Sequence, residues 1–284
     1  MLKLIVNADD FGISKSVNEG IVEAHLNGIV TSASIMANGR AFNHAVKLCY
    51  DNPSLDIGVH LSLVEDKPVL TPEKIPSLVN TEGHFHQTSW AFAHKYLAKT
   101  LNLDEIENEL DAQIMRVLDE GINISHVDGH QHLHMFPHIF DIVGKLCGKY
   151  EINSVRIPLE RVRLFSKQSR GKKFRALEQI VLNYFCRKAK RKTILNTPDH
   201  FFGFFYGGQL DKSCLIDILG KIPEGGFSEI MCHPGKNHTP SPYDHWNYNW
   251  KDELDALTDD DVRGFINSQN IELASYKELG ERQS

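Results

Sequence analysis

Leu2-Lys-Leu-Ile-Val-Asn-Ala-Asp-Asp-Phe-Gly-Ile-Ser-Lys-Ser-Val-Asn-Glu19 is the stretch on which the fold turns. Leu2 to Ala8 is aliphatic and β-branched without helical periodicity, the pattern of a buried parallel strand. It ends in two carboxylates, Asp9 and Asp10. After Gly12, Ser16-Val-Asn-Glu19 has the spacing of a capping box, and Ile21, Val22, Ala24, His25 and Leu26 form a stripe that stops at Gly28. The unit strand, loop, helix then recurs, with a strand over Thr31–Met36, a helix over Ala41–Tyr50 and a strand over Leu55–Val59.

The same alternation runs to the C-terminus. Ile106, Leu110, Ile114, Val117 and Leu118 predict a helix from Asp104 to Gly121, followed by a strand over Ile122–Val127. A helix over Pro137–Tyr150, a strand over Asn153–Ile157, a helix over Leu215–Ile222 and a strand over Phe227–Cys232 come next. A helix over Asp252–Ile266 and a strand over Ile271–Ser275 complete the series. Seven or eight such units predict an α/β protein, a (β/α) barrel that is distorted or incomplete, with residues 1–284 as a single domain. A doubly wound open sheet is the alternative.

Two segments depart from this rhythm. Residues 60–103 carry Pro68, Pro72, Pro76 and Gly83 and read as an inserted lid or specificity loop. Residues 167–192 hold ten Lys/Arg and one acid, Glu178, interleaved with Phe174, Leu177, Ile180, Val181, Tyr184 and Phe185. We expect a basic amphipathic helix that packs its apolar face on the barrel. Docking on an anionic membrane surface, binding a polyanionic substrate and a homodimer contact are alternative uses.

Composition narrows the function classes. With 41% hydrophobic and 24% charged residues the chain can bury a sizeable core. A net charge of −6 leaves no global basic footprint, so no nucleic-acid partner is expected. No run approaches the roughly 18 apolar residues of a membrane span, and the N-terminus does not read as a signal peptide. Five cysteines without a C-x-x-C pair read as packing residues in a reducing cytosol. The expected location is cytoplasmic, peripheral to a membrane if the basic helix docks there.

Polar groups that follow barrel strands converge on one face. Here the strand ends carry Asp9-Asp10, His60, the run His126-Val-Asp-Gly-His-Gln-His-Leu-His134, Arg156 and His233. Asp10, His60 and one histidine of the run would give an oxygen–nitrogen–nitrogen set for Zn²⁺ and, with water, for Mg²⁺, Mn²⁺ or Co²⁺. One acid of the pair would hold the metal while its neighbour takes a proton from water. Alternatively, one of them caps the following helix. Asp128 suits an acceptor that fixes a histidine tautomer, whereas His126 and His134 read as core or surface groups. Arg156 is either a surface residue or the partner that orients a carboxylate base, and His233-Pro-Gly235 either contributes chemistry or ends a strand.

These residues resemble the YdjC-like carbohydrate deacetylase family, which includes chitooligosaccharide deacetylases and hopanoid-biosynthesis-associated deacetylases. The matching pieces are Asn7-Ala-Asp-Asp-Phe-Gly12, Gly28-Ile-Val-Thr-Ser-Ala33, Gly58-Val-His-Leu61, the histidine run with Pro137, Arg156-Ile-Pro158 and Glu229-Ile-Met-Cys-His-Pro-Gly235. The loops Leu63–Leu70, Ile75–Val79, Gly83–Phe85 and Pro198–Gly203 look more like the hopanoid-associated branch. The resemblance implies a barrel, one divalent metal ion and hydrolysis of an N-acetylated amino-sugar substrate, free or lipid-linked. It implies Asp10, His60 and His130 as metal ligands and Asp9 as general base. By analogy with the wider deacetylase design, it implies His233 as general acid and Arg156 as the residue orienting Asp9. Two rival readings remain: a phosphoesterase using similar ligands, and a non-catalytic metal- or sugar-binding protein on the same scaffold.

Overall fold

The computed structural model describes residues 2–160, 173–236 and 242–282. Its first strand, β1 (Leu2–Phe11), is followed by α1 (Lys15–Leu26), β2 (Ser32–Ile35), α2 (Phe42–Asp51) and β3 (Asp56–Leu61). After the 60–103 segment, which contains α3 (Ser89–Leu97), come α4 (Leu103–Asp119), β4 (His126–Gly129), α5 (Pro137–Lys149) and β5 (Ser154–Val155). The second half contains α6 (Lys173–Lys192), β6 (His200–Phe202), α7 (Lys212–Leu219) and β7 (Phe227–Cys232). It ends with α8 (Trp250–Leu257), α9 (Asp260–Ser268), β8 (Ile271–Ala274) and α10 (Tyr276–Gly280).

All strand pairs are parallel, in the order β5-β4-β3-β2-β1-β7-β6. β8 pairs with the first half of β1, from Leu2↔Ile271 to Ile5↔Ala274, while β2 pairs with the second half from Asn7↔Ser32 onward. Among the described residues the path's two ends, β5 and β6, share no ladder, and a single bridge, Ser154↔Asn196, holds that seam, with Val155 N–H donating to Asn196 O at 2.9 Å. The barrel is therefore incomplete, as the sequence suggested.

Strand alternation divides β1 into two faces. Leu4, Val6 and Ala8 pack into the large core beneath the helices. Ile5 belongs to a smaller cluster with Phe227, Ala274, Tyr276 and Leu279, in which α10 fills the space at the N-terminal ends of the strands. Asn7 and Asp9 continue on Ile5's side, toward the C-terminal ends. The barrel interior thus changes from apolar to polar along its axis.

Several local expectations are corrected. The cap of α1 is Ser14, which accepts from Val17 N–H, while Ser16 Oγ donates to Lys236 O. The helix expected over 252–266 is two, because Asp259 accepts from Asp261 and Val262 N–H and starts α9. The strand expected over 122–127 is shifted to β4. The 60–103 segment has its own packed interior, with Leu63, Val64, Ile75, Leu78, Phe85 and Phe92 buried. Glu109 of α4 accepts from Val69 and Leu70 N–H, which fastens the segment to the barrel.

The basic helix differs most from expectation. Residues 167–172 of that segment lie outside the described residues. In α6, the face turned to the protein is Ala176, Gln179, Asn183, Cys186 and Ala189, whereas Leu177, Ile180, Val181 and Tyr184 are exposed. Small and amide side chains allow close approach to the barrel; Leu182 and Phe185 pack partly against its core, Phe185 at 5.5 Å from Phe136, whereas the four exposed apolar residues point away. Among the described residues the cysteines are free, four of them buried, and no helix is long and apolar enough to cross a membrane.

Candidate active site

Two successive residues of a strand ordinarily point to opposite faces. Asp9 and Asp10 escape this because the chain turns left-handed at Asp10 (φ 64°), where the register with β2 shifts between Ala8 and Phe11. A bulge of this kind re-aims a side chain, and Asp tolerates the left-handed region better than most residues. Both carboxylates therefore reach the same buried space. Neither caps α1, since Ser14 does.

β3 and β4 supply the next groups. His60 and Asp128 are register partners, and His60 Nδ1 lies 2.8 Å from Asp128 Oδ1. This leaves His60 Nε2 facing Asp10 Oδ1 at 3.4 Å and Asp9 Oδ2 at 4.0 Å. After β4 the chain turns sharply, with Gln131 and His132 left-handed at φ 51° and 55°. A side chain at Gly129 would bring its Cβ within 2.8 Å of His134 Nδ1, so only glycine fits this turn. The turn brings His130 Nδ1 to 3.1 Å from Asp10 Oδ1 and its Nε2 to 3.1 Å from Glu65 Oε2.

Asp10, His60 and His130 each offer a ligand atom, and these atoms lie within 4.8 Å of one another. The arrangement fits a divalent cation on chemical grounds. The inner nitrogens, His60 Nε2 and His130 Nδ1, converge on Asp10. Each outer nitrogen meets a carboxylate, Asp128 or Glu65, the usual backing for a metal-binding histidine. Burial disfavours charge on either ring, but Asp128, Asp9 and Asp10 raise the His60 pKa to about 10. Asp10 and Glu65 likewise raise that of His130 to about 9. Burial would raise the Asp10 pKa, yet His130 and His60 hold it well below the usual range. The pocket's electrostatic demand is for positive charge.

Asp9, His60 and Asp128 form a second acidic group. It is already neutralised by Arg156, which is fully buried. Arg156 Nη1 and Nη2 donate to Asp9 Oδ2 and Oδ1, both at 2.7 Å. Nη1 also lies 2.7 Å from Asp128 Oδ2, and Nε donates to Glu229 Oε1 at 2.8 Å. Asn7 Nδ2 donates to Asp9 Oδ1, and Ser34 Oγ donates to Asp128 Oδ2. Below them, Tyr276 Oη donates to Glu229 Oε2 at 2.6 Å. Burial pushes the Glu229 pKa up to about 7, against the lowering effects of Arg156 and Tyr276.

His233 follows β7, and the register Ala8↔Cys232 places it level with Asp9. Its Nδ1 is 3.9 Å from Glu253 Oε2, and its backbone N–H donates to that oxygen at 2.5 Å. Its ring meets Tyr248 (4.9 Å between centroids) and Trp250 (6.4 Å). Trp246 lies 5.1 Å from His130. The remaining histidines of the run serve packing. His126 stacks on Tyr276 at 3.7 Å in space left by Gly58, and burial lowers its pKa to about 3. His134 Nε2 lies 3.0 Å from Arg156 O, and burial lowers its pKa to about 4.

The structure thus places Asp9, Asp10, His60, His130 and Arg156 in one network and puts His233 at the neighbouring strand end. Reading the sequence did not single out Glu65, Glu229, Glu253, Tyr248 or Trp246. Glu229 shares the period-2 face of β7 with His233, a signal that was available. Glu65 lies in an irregular loop and had none.

An incomplete (β/α) barrel with an acid–base centre at the C-terminal ends of its strands defines the class of protein. The chain belongs to the YdjC-like protein family, whose model matches residues 3–268. A carbohydrate deacetylase of Brevibacillus brevis is 36% identical, covering 98% of this chain and 100% of the relative. A chitooligosaccharide deacetylase of Citrobacter koseri is 34% identical, covering 97% and 98%. Among solved structures, a putative cellobiose-phosphate cleavage protein of Enterococcus faecalis superposes with a TM-score of 0.78 at 29% identity, covering 98% of each chain.

Proposed function

We propose that this protein is a metal-dependent carbohydrate deacetylase that hydrolyses the N-acetyl group of an amino sugar and releases acetate. The observation that carries this reading is the division of labour between adjacent carboxylates. Asp10 faces two histidines, while Asp9 is held bidentately by Arg156 within 4.0 Å of His60 Nε2. The names of the relatives from Brevibacillus brevis and Citrobacter koseri support the substrate class.

Asp10, His60 and His130 would hold the cation. One oxygen and two nitrogens suit Zn²⁺, Mg²⁺, Mn²⁺ or Co²⁺. Such an ion supplies Lewis-acid polarisation of a carbonyl and a lowered pKa for water. Asp9 accepts the proton of the water that attacks the acetyl carbonyl carbon. Arg156 keeps both Asp9 oxygens aimed, and Asn7 adds a third donor. His233, backed by Glu253, delivers a proton to the amine nitrogen as the C–N bond breaks. Acetate and a free amino sugar leave.

A two-metal phosphoesterase would need a second cation near Asp9 and Asp128. The Arg156 guanidinium takes that place and repels one. A protein that only bound sugar would have no use for a base held beside the cation ligands.

The test is acetate release from N-acetylated chitobiose and from a lipid-linked N-acetylglucosaminyl substrate. Chelated enzyme is compared before and after addition of each divalent ion. Metal-restored release is expected, and the preferred substrate separates free from lipid-linked sugar. No acetate from either substrate, with one ion bound per chain, would refute the proposal.

A further inference from the structure

Glu65, from the 60–103 segment, places a carboxylate against His130. It is backbone-strained, with φ 74°, a conformation that costs a non-glycine residue about 1–3 kcal/mol unless its surroundings impose it. Two hydrogen bonds do so: Glu65 N–H donates to His86 O at 2.9 Å, and Phe85 N–H donates to Asp66 O at 3.1 Å. In this turn successive carboxylates reach different residues of one distant segment. Asp66 Oδ2 accepts from Tyr243 Oη at 2.6 Å, and its Oδ1 accepts from Arg40 Nε at 3.1 Å. Glu65 Oε1 accepts from Trp246 Nε1 at 2.8 Å, while Oε2 sits 3.1 Å from His130 Nε2.

We infer that Glu65 is a positioning residue that serves both halves of the site, fixing His130 for the cation and holding the Trp246 indole as a platform for the apolar face of a pyranose ring. This rests on the deacetylase reading above. A carboxylate only accepts hydrogen bonds, so it holds His130 with a proton on Nε2 and leaves Nδ1 free to ligate. The same group removes the indole's rotational freedom. Trp246 is half-buried and is continued by Tyr248 at 5.3 Å, so an aromatic wall begins directly beside a cation ligand. Sugar rings present C–H faces that pack on such surfaces, and the polar edge of the indole is already satisfied.

Three variants separate the two roles. Glu65→Gln can still accept from the indole, but its amide turned to His130 favours the wrong tautomer. Titration calorimetry of substrate-free protein should show Zn²⁺ or Co²⁺ bound about 10–100-fold more weakly. At saturating metal its KM for N-acetylated chitobiose should stay near wild type. Trp246→Ala should keep metal affinity and raise KM about 10-fold. Glu65→Ala should change both. Wild-type metal affinity in Glu65→Gln, or unchanged KM in both alanine variants, would overturn the inference alone. A wild-type protein that binds no divalent ion would instead overturn the function reading, and this inference with it.

Discussion

Replacing Arg156 by Met tests the organisation of the site most directly. The guanidinium is fully buried and contacts Asp9, Asp128 and Glu229 at 2.7–2.8 Å. Methionine matches much of its volume but leaves three carboxylates facing one another without a cation. Breaking a buried ion pair by removing one partner costs about 3–5 kcal/mol. In a domain of this size each kcal/mol lowers Tm by about 2–4 °C, so a drop of about 6–20 °C is expected. The loss should depend on pH. Burial already holds the Glu229 pKa at about 7, above its unfolded value. An acid with a raised pKa binds more protons folded than unfolded, so its contribution to stability falls as pH rises through that range. Without Arg156 the carboxylate that protonates most readily relieves the repulsion, and the deficit should be smaller at pH 5.5 than at pH 8 (about 1.4 kcal/mol per pK unit). Circular dichroism melts at both pH values, with chelator present, measure this. A variant whose Tm at pH 8 is within about 3 °C of wild type would refute the reasoning, because the smallest expected drop is about twice that.

Further outcomes follow from the same structure. Asp10→Asn and His60→Ala should lose bound metal and activity together. Asp9→Asn should retain stoichiometric metal by calorimetry while turnover falls about 10²–10⁴-fold, the usual worth of a general base; near-normal turnover would remove that assignment. His126 and His134 are buried neutral, with pKa values lowered to about 3 and 4. The unfolded chain takes up protons below about pH 6.5 that the fold does not, so each ring lowers urea-unfolding stability from pH 6.5 to 5 by up to about 1.4 kcal/mol per unit, while the raised Glu229 carboxyl acts in the opposite sense over the same range. His60 and His130, with raised values, act in the separate window above pH 6.5, where stability of the metal-free protein should fall toward pH 9–10. The His126 contribution is read as the stability difference between wild type and His126→Asn, and a difference that does not change between pH 6.5 and 5 would contradict the burial argument. Finally, the exposed face of α6 should be read out by light scattering and by flotation with anionic vesicles. Leu177→Ser with Tyr184→Ser should abolish whichever association the wild type shows, and a wild-type protein with neither would leave the expected membrane and homodimer contacts without support.

Strand-end residues were legible because the code for them is local. An aliphatic run that stops at Asp9-Asp10, or at His233, declares both a buried strand and what its end presents. Repetition of strand, loop and helix then implies a barrel with those ends on one face. Asp128 as an acceptor fixing a histidine was legible for the same reason, but that the histidine is His60 follows only from the β3–β4 register.

Other features depended on neighbours far along the chain. Nothing near Glu65 announces that it meets His130 and Trp246, residues 65 and 181 positions away. Glu253 sits in a helix of ordinary amphipathic pattern, and only the packing of α8 places it behind His233. Tyr276 belongs to a short terminal helix, and its role under Glu229 exists because α10 fills the barrel floor. The apolar residues of α6 made an inward-facing stripe the natural reading, whereas the space against the barrel admits Ala176, Gln179 and Asn183, with Phe185, among the described residues, the one member of that stripe that packs on the core. Periodicity along the sequence determined most of the strands and the polar groups at their ends, whereas Pro198–Gly203 read as a loop and holds the edge strand β6. Tertiary packing alone decided how those groups are paired, since a buried charge takes its partner from whatever the fold brings within about 3 Å, at any distance along the chain.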